Sequence, residues 1–268
     1  MARVKSPLLF SKYFRISKDS IENYGLIDPF LNVDTQLFID PVLLSKSSFT
    51  EISNDAYQHF RQHFNNYIRL LDISEKRNDA AWKAARKLLD LREPPQTGLG
   101  YGGSSRSGNS RPEEVRTAIM RTSQEIINLG SKDPEMISLM GFLEDNVGPD
   151  TISDFTTRVI MSDLAKITEE FCQKNNIPIK SFSSLQNRKL PVYNGKPIIL
   201  VPRDIVRDLP VANDWSAIET AALKNKEIRD RVNSYLAGIA KPTIADRKAA
   251  LKYVALGSAE DFEGFLNT

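Results

Sequence analysis

The sequence predicts an α+β fold, predominantly helical, with about eight helices around a small antiparallel sheet. Three observations carry this. Long segments repeat apolar residues at the helical period, runs with strand character are few and short, and Asn194-Gly195 separates Leu190-Pro191-Val192-Tyr193 from Pro197-Ile198-Ile199-Leu200-Val201. Asn-Gly takes up positive φ readily, so it marks a type I′ turn and a hairpin near 190–201. A chain of 268 residues with 41% apolar and 26% charged residues suffices for one large core, and its composition is that of a globular protein. The expected organisation is a single α-rich domain over 1–268, either free-standing or the N-terminal module of a larger protein.

The first fifty residues read as irregular. Asp28-Pro29 and Asp40-Pro41 are turn signals around Leu37-Phe38-Ile39, a short buried strand. Ser53-Asn54-Asp55 is suited to cap a helix running to about Leu71, with Tyr57, Phe60, Phe64 and Ile68 on one face. Asn78-Asp79 starts a second helix through about Leu91, stopped by Pro94-Pro95. Pro112, followed by Glu113 and Glu114, opens a third that ends at Gly130. A short helix is expected from Asp133 to Leu143. The longest runs from about Asp150 or Thr151 to Lys174 on the stripe Ile152, Phe155, Val159, Ile160, Leu164, Ile167 and Phe171. Beyond the hairpin, helices are expected over 214–224, 226–240 and 243–256. A last one follows the cap Ser258–Asp261, with Phe262, Phe265 and Leu266 forming its apolar face. So short a helix is marginal unless it packs on something. Docking on a partner, or continuation into a longer architecture, is set here against simple fraying.

Several classes are excluded or disfavoured. No apolar run approaches the ~18 residues of a membrane span, and Met1–Phe10 lacks a signal peptide's apolar region and cleavage site. The single cysteine, Cys172, rules out an intrachain disulfide framework and a thiolate zinc cage. A cytoplasmic location and no membrane partner are expected. A net charge of +2 demands no polyanion, so nucleic-acid binding would rest on local patches.

The first candidate site is the stretch 97–112, which holds five of the 13 glycines. Gly98, Gly100 and Gly103 match G-x-G-x-x-G, but Arg92-Glu93-Pro94-Pro95 stands where a dinucleotide site needs a strand, and no Gly-Lys-Ser/Thr follows. There remains a loop with Tyr101 to stack on a base, Arg106 and Arg111 to contact phosphates, and Arg116 and Arg121 on the next helix. The competing reading is a solvated linker. Arg203 and Arg207, where an extended segment turns polar, are further phosphate candidates. Their alternation with Asp204 and Asp208 reads equally as a self-neutralising surface.

The second candidate is the set Glu144, Asp145, Asp150 and Asp154, carboxylates suited to hold Mg²⁺ for phosphodiester chemistry, with Asp150 and Asp154 as the metal ligands. Such a site also needs a strand that sets ligand geometry and commonly a lysine, and neither is visible nearby. The structural alternative makes Asp150 an N-cap and pairs Asp154 with Arg158. His59 and His63 have the spacing of two ligands on one helix, yet the Glu of a zinc-hydrolase helix is absent. A surface or interface pair fits them better. Cys172, beside Phe171, reads as a buried structural thiol.

Four phrases occur in order: Asp34-Thr35-Gln36-Leu37-Phe38-Ile39-Asp40-Pro41, Gly98-Leu99-Gly100-Tyr101, Val147-Gly148-Pro149-Asp150-Thr151-Ile152-Ser153-Asp154 and Leu200-Val201-Pro202-Arg203-Asp204-Ile205. Together they resemble the N-terminal region of uncharacterised bacterial proteins associated with anti-phage defence loci, whose longer members continue into a PD-(D/E)xK-type nuclease domain. The resemblance implies a non-catalytic sensing, regulatory or assembly module that binds nucleic acid or a protein partner (a nuclease domain or subunit among the possibilities, or a further copy of itself) and requires no cofactor. The alternatives from the residues are a metal-dependent nuclease or phosphohydrolase using Mg²⁺, and a nucleotide-binding regulator with phosphates against 98–111.

Overall fold

The computed structural model describes residues 6–100, 112–145, 147–209, 226–239 and 242–266. In chain order these form α1 (Phe10–Phe14), α2 (Lys18–Tyr24), β1 (Leu37–Ile39), α3 (Tyr57–Asp72), α4 (Ala80–Leu88), α5 (Pro112–Asn128), α6 (Met140–Leu143), α7 (Pro149–Val159) and α8 (Met161–Lys174). The strands β2 (Lys180–Phe182), β3 (Arg188–Leu190), β4 (Val192–Tyr193), β5 (Lys196–Pro197) and β6 (Val206–Asp208) follow. The chain then returns to helix in α9 (Lys226–Leu236), α10 (Ile244–Ala255) and α11 (Ala259–Leu266). The fold is α+β and mostly helical. Among the described residues its strands form three separate antiparallel pairs, β1–β6, β2–β3 and β4–β5.

The expected hairpin is β4–β5, turning through Asn194 at φ 47° and Gly195 at φ 75°. It is shorter than the sequence suggests, because the chain turns away after Ile198. Ile198 N–H still donates to the Pro191 carbonyl, the next pair in register, but Ile199 N–H goes to the Gln96 carbonyl and Leu200 N–H to Thr168 Oγ1, each at 2.9 Å. A buried backbone needs partners, not necessarily a strand. The β2–β3 hairpin carries no Asn-Gly signal and was not expected.

Helix boundaries follow their caps where a cap exists. Asp79 accepts from Trp82 N–H at 2.7 Å and starts α4 as expected. It also takes up Ser74 Oγ and the Glu75 and Lys76 N–H groups, and these hydrogen bonds hold its carboxyl below the ordinary value of 3.8. A carboxylate with a depressed folded-state pKa contributes stability at pH above its unfolded value and loses it as pH falls through the folded one. The Asp79→Asn variant is therefore expected to flatten the acid limb of the stability–pH curve below about pH 4. Parallel acid limbs in urea titrations of the two proteins would count against this.

Elsewhere the sequence expectation needs correction. The helix expected to start at Ser53–Asp55 begins earlier, as a π-helical segment Glu51–Ala56 running straight into α3, because Ile52 and Ser53 N–H both turn onto the Phe49 carbonyl. The expected Asp133–Leu143 helix is a 3₁₀ segment, Pro134–Leu139, capped by Asp133 and followed by α6. The expected long helix divides into α7 and α8 at Ile160, which departs to φ −95°, ψ 11°. Its carbonyl accepts from both Asp163 and Leu164 N–H, each at 3.1 Å, so the ladder tightens without Pro or Gly, just after two adjacent β-branched residues. Asp150 is not the N-cap of α7 but lies in its first turn, after Pro149. The helix expected over 214–224 lies outside the described residues.

The chain divides into two compact units, each built from separated segments. Unit 1 comprises Met1–Phe60, Arg92–Gly108 and Ser153–Leu209; unit 2 comprises Arg61–Leu91, Asn109–Ile152 and Pro210–Thr268. Phe10, Ile39, Leu44, Phe155, Phe171 and Leu200 are buried in the first. Phe64, Tyr67, Ile119, Met140, Leu251 and Phe262 are buried in the second. Phe262 and Phe265 of α11 are 1% and 4% exposed, so the terminal helix spends its apolar face within unit 2 and needs no partner to cover it.

Candidate functional site

Unit 1 is organised around the segment Asp34–Asp40. Thr35 N–H donates to the Gly98 carbonyl at 2.7 Å, and Gly100 N–H to the Thr35 carbonyl at 2.9 Å, giving a parallel bridge between Thr35 and Leu99. Gly98 sits at φ 62°, and a Cβ there would approach the Phe30 carbonyl oxygen to 3.1 Å, so glycine suits the position on both counts. Immediately downstream β1 pairs with β6, setting Phe38 opposite Arg207. Arg207 Nε lies 2.5 Å from Asp40 Oδ2, while Asp40 Oδ1 caps the following 3₁₀ turn through Val42 N–H at 3.0 Å. Ile39 N–H donates to the buried Ser153 Oγ at 2.9 Å. Asp40 N–H donates to the Ile205 carbonyl at 2.9 Å, so all four sequence phrases that carry the family resemblance contribute a residue to this one hub.

Of the expected phosphate-binding residues, Gly98, Gly100, Arg203 and Arg207 fall in unit 1. Tyr101, Gly103, Arg106 and Arg111 lie outside the described residues. Arg203 and Arg207 are more than half exposed, and their pairing is not the mutual Arg-Asp neutralisation read from the sequence. Arg203 approaches Glu22 at 3.6 Å, and Arg207 takes Asp40. Asp204 instead accepts from Ser47 Oγ at 2.9 Å and from Ser48 N–H and Oγ, each at 2.7 Å. Arg116 is a correction: in unit 2 its Nε donates to the Leu89 carbonyl at 2.9 Å and its Nη1 meets Glu113 at 2.6 Å, leaving the side chain 16% exposed and occupied with holding α5 to the end of α4.

The carboxylate cluster gains lysines that no spacing in the sequence announces. In unit 2 Glu144 is 7% exposed, accepts from Thr122 Oγ1, and lies 2.6 Å from Lys252 Nζ, which also approaches Glu125 at 3.4 Å. Lys248, 8% exposed, donates to the Glu144 carbonyl at 2.9 Å and the Val147 carbonyl at 2.8 Å. Burial lowers its pKa, against the opposing pull of Asp145, Glu144 and Asp150. A Cβ on Gly148 would collide with the Asp150 carboxylate, so that glycine admits the acid over the turn. Glu144 and Lys248 are thus engaged in closing a loop against α10. Asp154 belongs by sequence to unit 1. Among the described residues no group of three or more His, Cys, Asp or Glu side chains is placed to hold a metal ion.

His59 and His63 turn to different partners. His59 Nδ1 lies 2.9 Å from Asp163, and His63 Nε2 donates to the Leu88 carbonyl at 2.8 Å, with burial lowering the His63 pKa. Cys172 is fully buried, and burial pushes its thiol up to about 12, the state of an inert core thiol.

These elements define a mostly helical α+β protein with two local hairpins and one strand pair, β1–β6, that ties distant segments together. Residues 15–213 match the family model described as a domain of unknown function, DUF8370, and the chain belongs to that family. The matched span contains the whole Asp34–Asp40 hub and every segment that meets it. No curated protein and no solved structure matches the chain significantly. No helix among the described residues is long and apolar enough to cross a membrane.

Proposed function

We propose that this protein is a non-catalytic nucleic-acid-binding module that contacts phosphates through the root of the 98–111 segment together with Arg203 and Arg207. The observation that carries this reading is the hub itself. Two backbone hydrogen bonds fix Gly98–Gly100 on Thr35, and the same segment positions the exposed Arg207, so the residues that lead into the glycine-serine-arginine sequence are held on the element that carries this guanidinium. Exposed arginines on an ordered backbone are suited to phosphate contacts, which set register and affinity without reading sequence. The engagement of Glu144 with Lys252 and Thr122 favours a binding role over carboxylate-based hydrolysis. The family resemblance adds the setting: a sensing or assembly part of an anti-phage defence system, acting beside a nuclease domain or subunit.

Titrating labelled single- and double-stranded DNA over a range of salt tests this. Affinity is expected to fall with salt, and Arg203→Ala with Arg207→Ala to reduce the log–log slope by about 1.5, two contacts at roughly 0.7–0.9 each. A flat salt response unchanged by the double variant would remove the proposal.

A further inference from the structure

Two stretches of the sequence hold cations and no carboxylate. From Phe171 to Arg203 run Lys174, Lys180, Arg188, Lys189, Lys196 and Arg203, and from Ser6 to Lys18 run Lys12, Arg15 and Lys18. Unit 1 brings them together. Tyr13 of α1 meets Tyr193 of β4 edge to face, with ring centroids 5.2 Å apart at 90°, and Tyr13 remains 44% exposed between Lys12 and Arg15. Some of these cations are already answered: Arg188 by Glu169 at 3.4 Å, Lys18 by Glu22 at 3.2 Å, and Lys174 by the Tyr24 ring. Lys12, Arg15, Lys180, Lys189 and Lys196 are exposed and make no ion pair among the described residues.

The register keeps two of these lysines close to the aromatic pair. Lys196 is the cross-strand partner of Tyr193, whereas Lys180, paired with the buried Leu190, projects from the side of the β2–β3 ladder opposite to Lys189. Lys189 precedes Tyr193 by four residues, within ~14 Å at ~3.4 Å per residue, and antiparallel partners lie ~5 Å apart. Each strand of a B-form duplex carries one phosphate per ~3.4 Å of helix axis and a free strand is more extended, so a span of this length matches more than one phosphate. Unanswered positive charge around an exposed aromatic edge is the combination that grips unpaired bases: cations track the backbone while a ring stacks on a base face. A duplex hides those faces. A membrane surface would need an amphipathic helix with a broad apolar face, and α1 is five residues long.

We propose that the face formed by α1 and the β2–β5 hairpins binds single-stranded nucleic acid, with Lys12, Lys189 and Lys196 on phosphates and Tyr13, backed by Tyr193, stacking on a base. This shares the nucleic-acid ligand of the proposed function but none of its residues, so the two are separable. The test uses the full chain and a fluorescent oligothymidylate of about twenty nucleotides, with a matched duplex and phosphatidylserine-containing vesicles alongside. The triple variant Lys12→Ala, Lys189→Ala, Lys196→Ala is expected to lower the salt slope by about 2. Tyr13→Leu is expected to weaken binding about tenfold while Tyr13→Phe retains it; circular dichroism confirms that each variant is folded. The proposal is overturned if the triple variant binds like wild type, if Leu and Phe at position 13 are equivalent, if duplex binds as tightly as single strand, or if only vesicles bind. Loss with the Arg203/Arg207 double variant but not with the triple variant leaves the earlier reading standing and this one refuted.

Discussion

Lys248→Met is expected to lower the stability of the protein by about 3–5 kcal/mol, read from the urea midpoint, with little change in far-UV circular dichroism below the transition. Methionine keeps most of the side-chain volume and loses only the ammonium. That group is the donor to the Glu144 and Val147 carbonyls and lies near the carboxylates of Glu144, Asp145 and Asp150. Its removal leaves two buried carbonyl acceptors without their donor and takes a positive charge from beside the Glu144–Asp150 carboxylates, and these costs exceed the hydrophobic gain of the thioether. Glu144→Gln is expected to cost less, since the amide oxygen still accepts from Lys252 and Thr122. The pH dependence has a definite sign. Burial holds the Lys248 pKa in the folded state below the ordinary 10.5. Between the two values the unfolded chain binds more protons, so stability rises with pH across that interval in wild type and not in Lys248→Met. A loss below about 1 kcal/mol would show that the ammonium is not structural.

This lysine also shows what could be read from the sequence and what could not. Asp79 as a cap, Pro112 near a helix start, and Asn194-Gly195 as a turn act on immediate neighbours, and each was legible because backbone φ and capping are local. The hub was legible only as four separate phrases. Its ties, Arg207 to Asp40 across 167 residues and Ile39 to Ser153 across 114, follow from packing rather than from any spacing in the chain. Lys248 reaches the Glu144 loop across 104 residues, which is why the carboxylates read as an open cluster while the folded protein has already answered Glu144. The basic face was available as an acid-free run from Phe171 to Arg203, a signal that average net charge conceals. That Tyr13 would join it depends on α1 packing beside β4, which no local pattern specifies.

Phe262→Ala is expected to cost about 3–5 kcal/mol, as large as any single truncation in unit 2, although the residue lies close to the end of the sequence. An isolated helix of eight residues would not persist in water, so α11 exists only because its apolar face is covered. Phe262 and Phe265 are buried, Ser258 Oγ accepts from Asp261 N–H at 3.1 Å, and Asp261 is bound by Arg231 of α9, which holds its carboxyl below the usual range. Deleting the Phe262 ring removes its burial and leaves a cavity the remaining short helix cannot refill, whereas Ser258→Ala removes one cap bond worth about 1 kcal/mol. The ratio of the two effects is the informative quantity. A helix whose main role was to dock on a partner would show small and similar losses in the isolated protein, with Phe262→Ala felt only on binding. A large Phe262 effect beside a small Ser258 effect, measured by urea denaturation of the protein alone, assigns α11 to the core of its own unit.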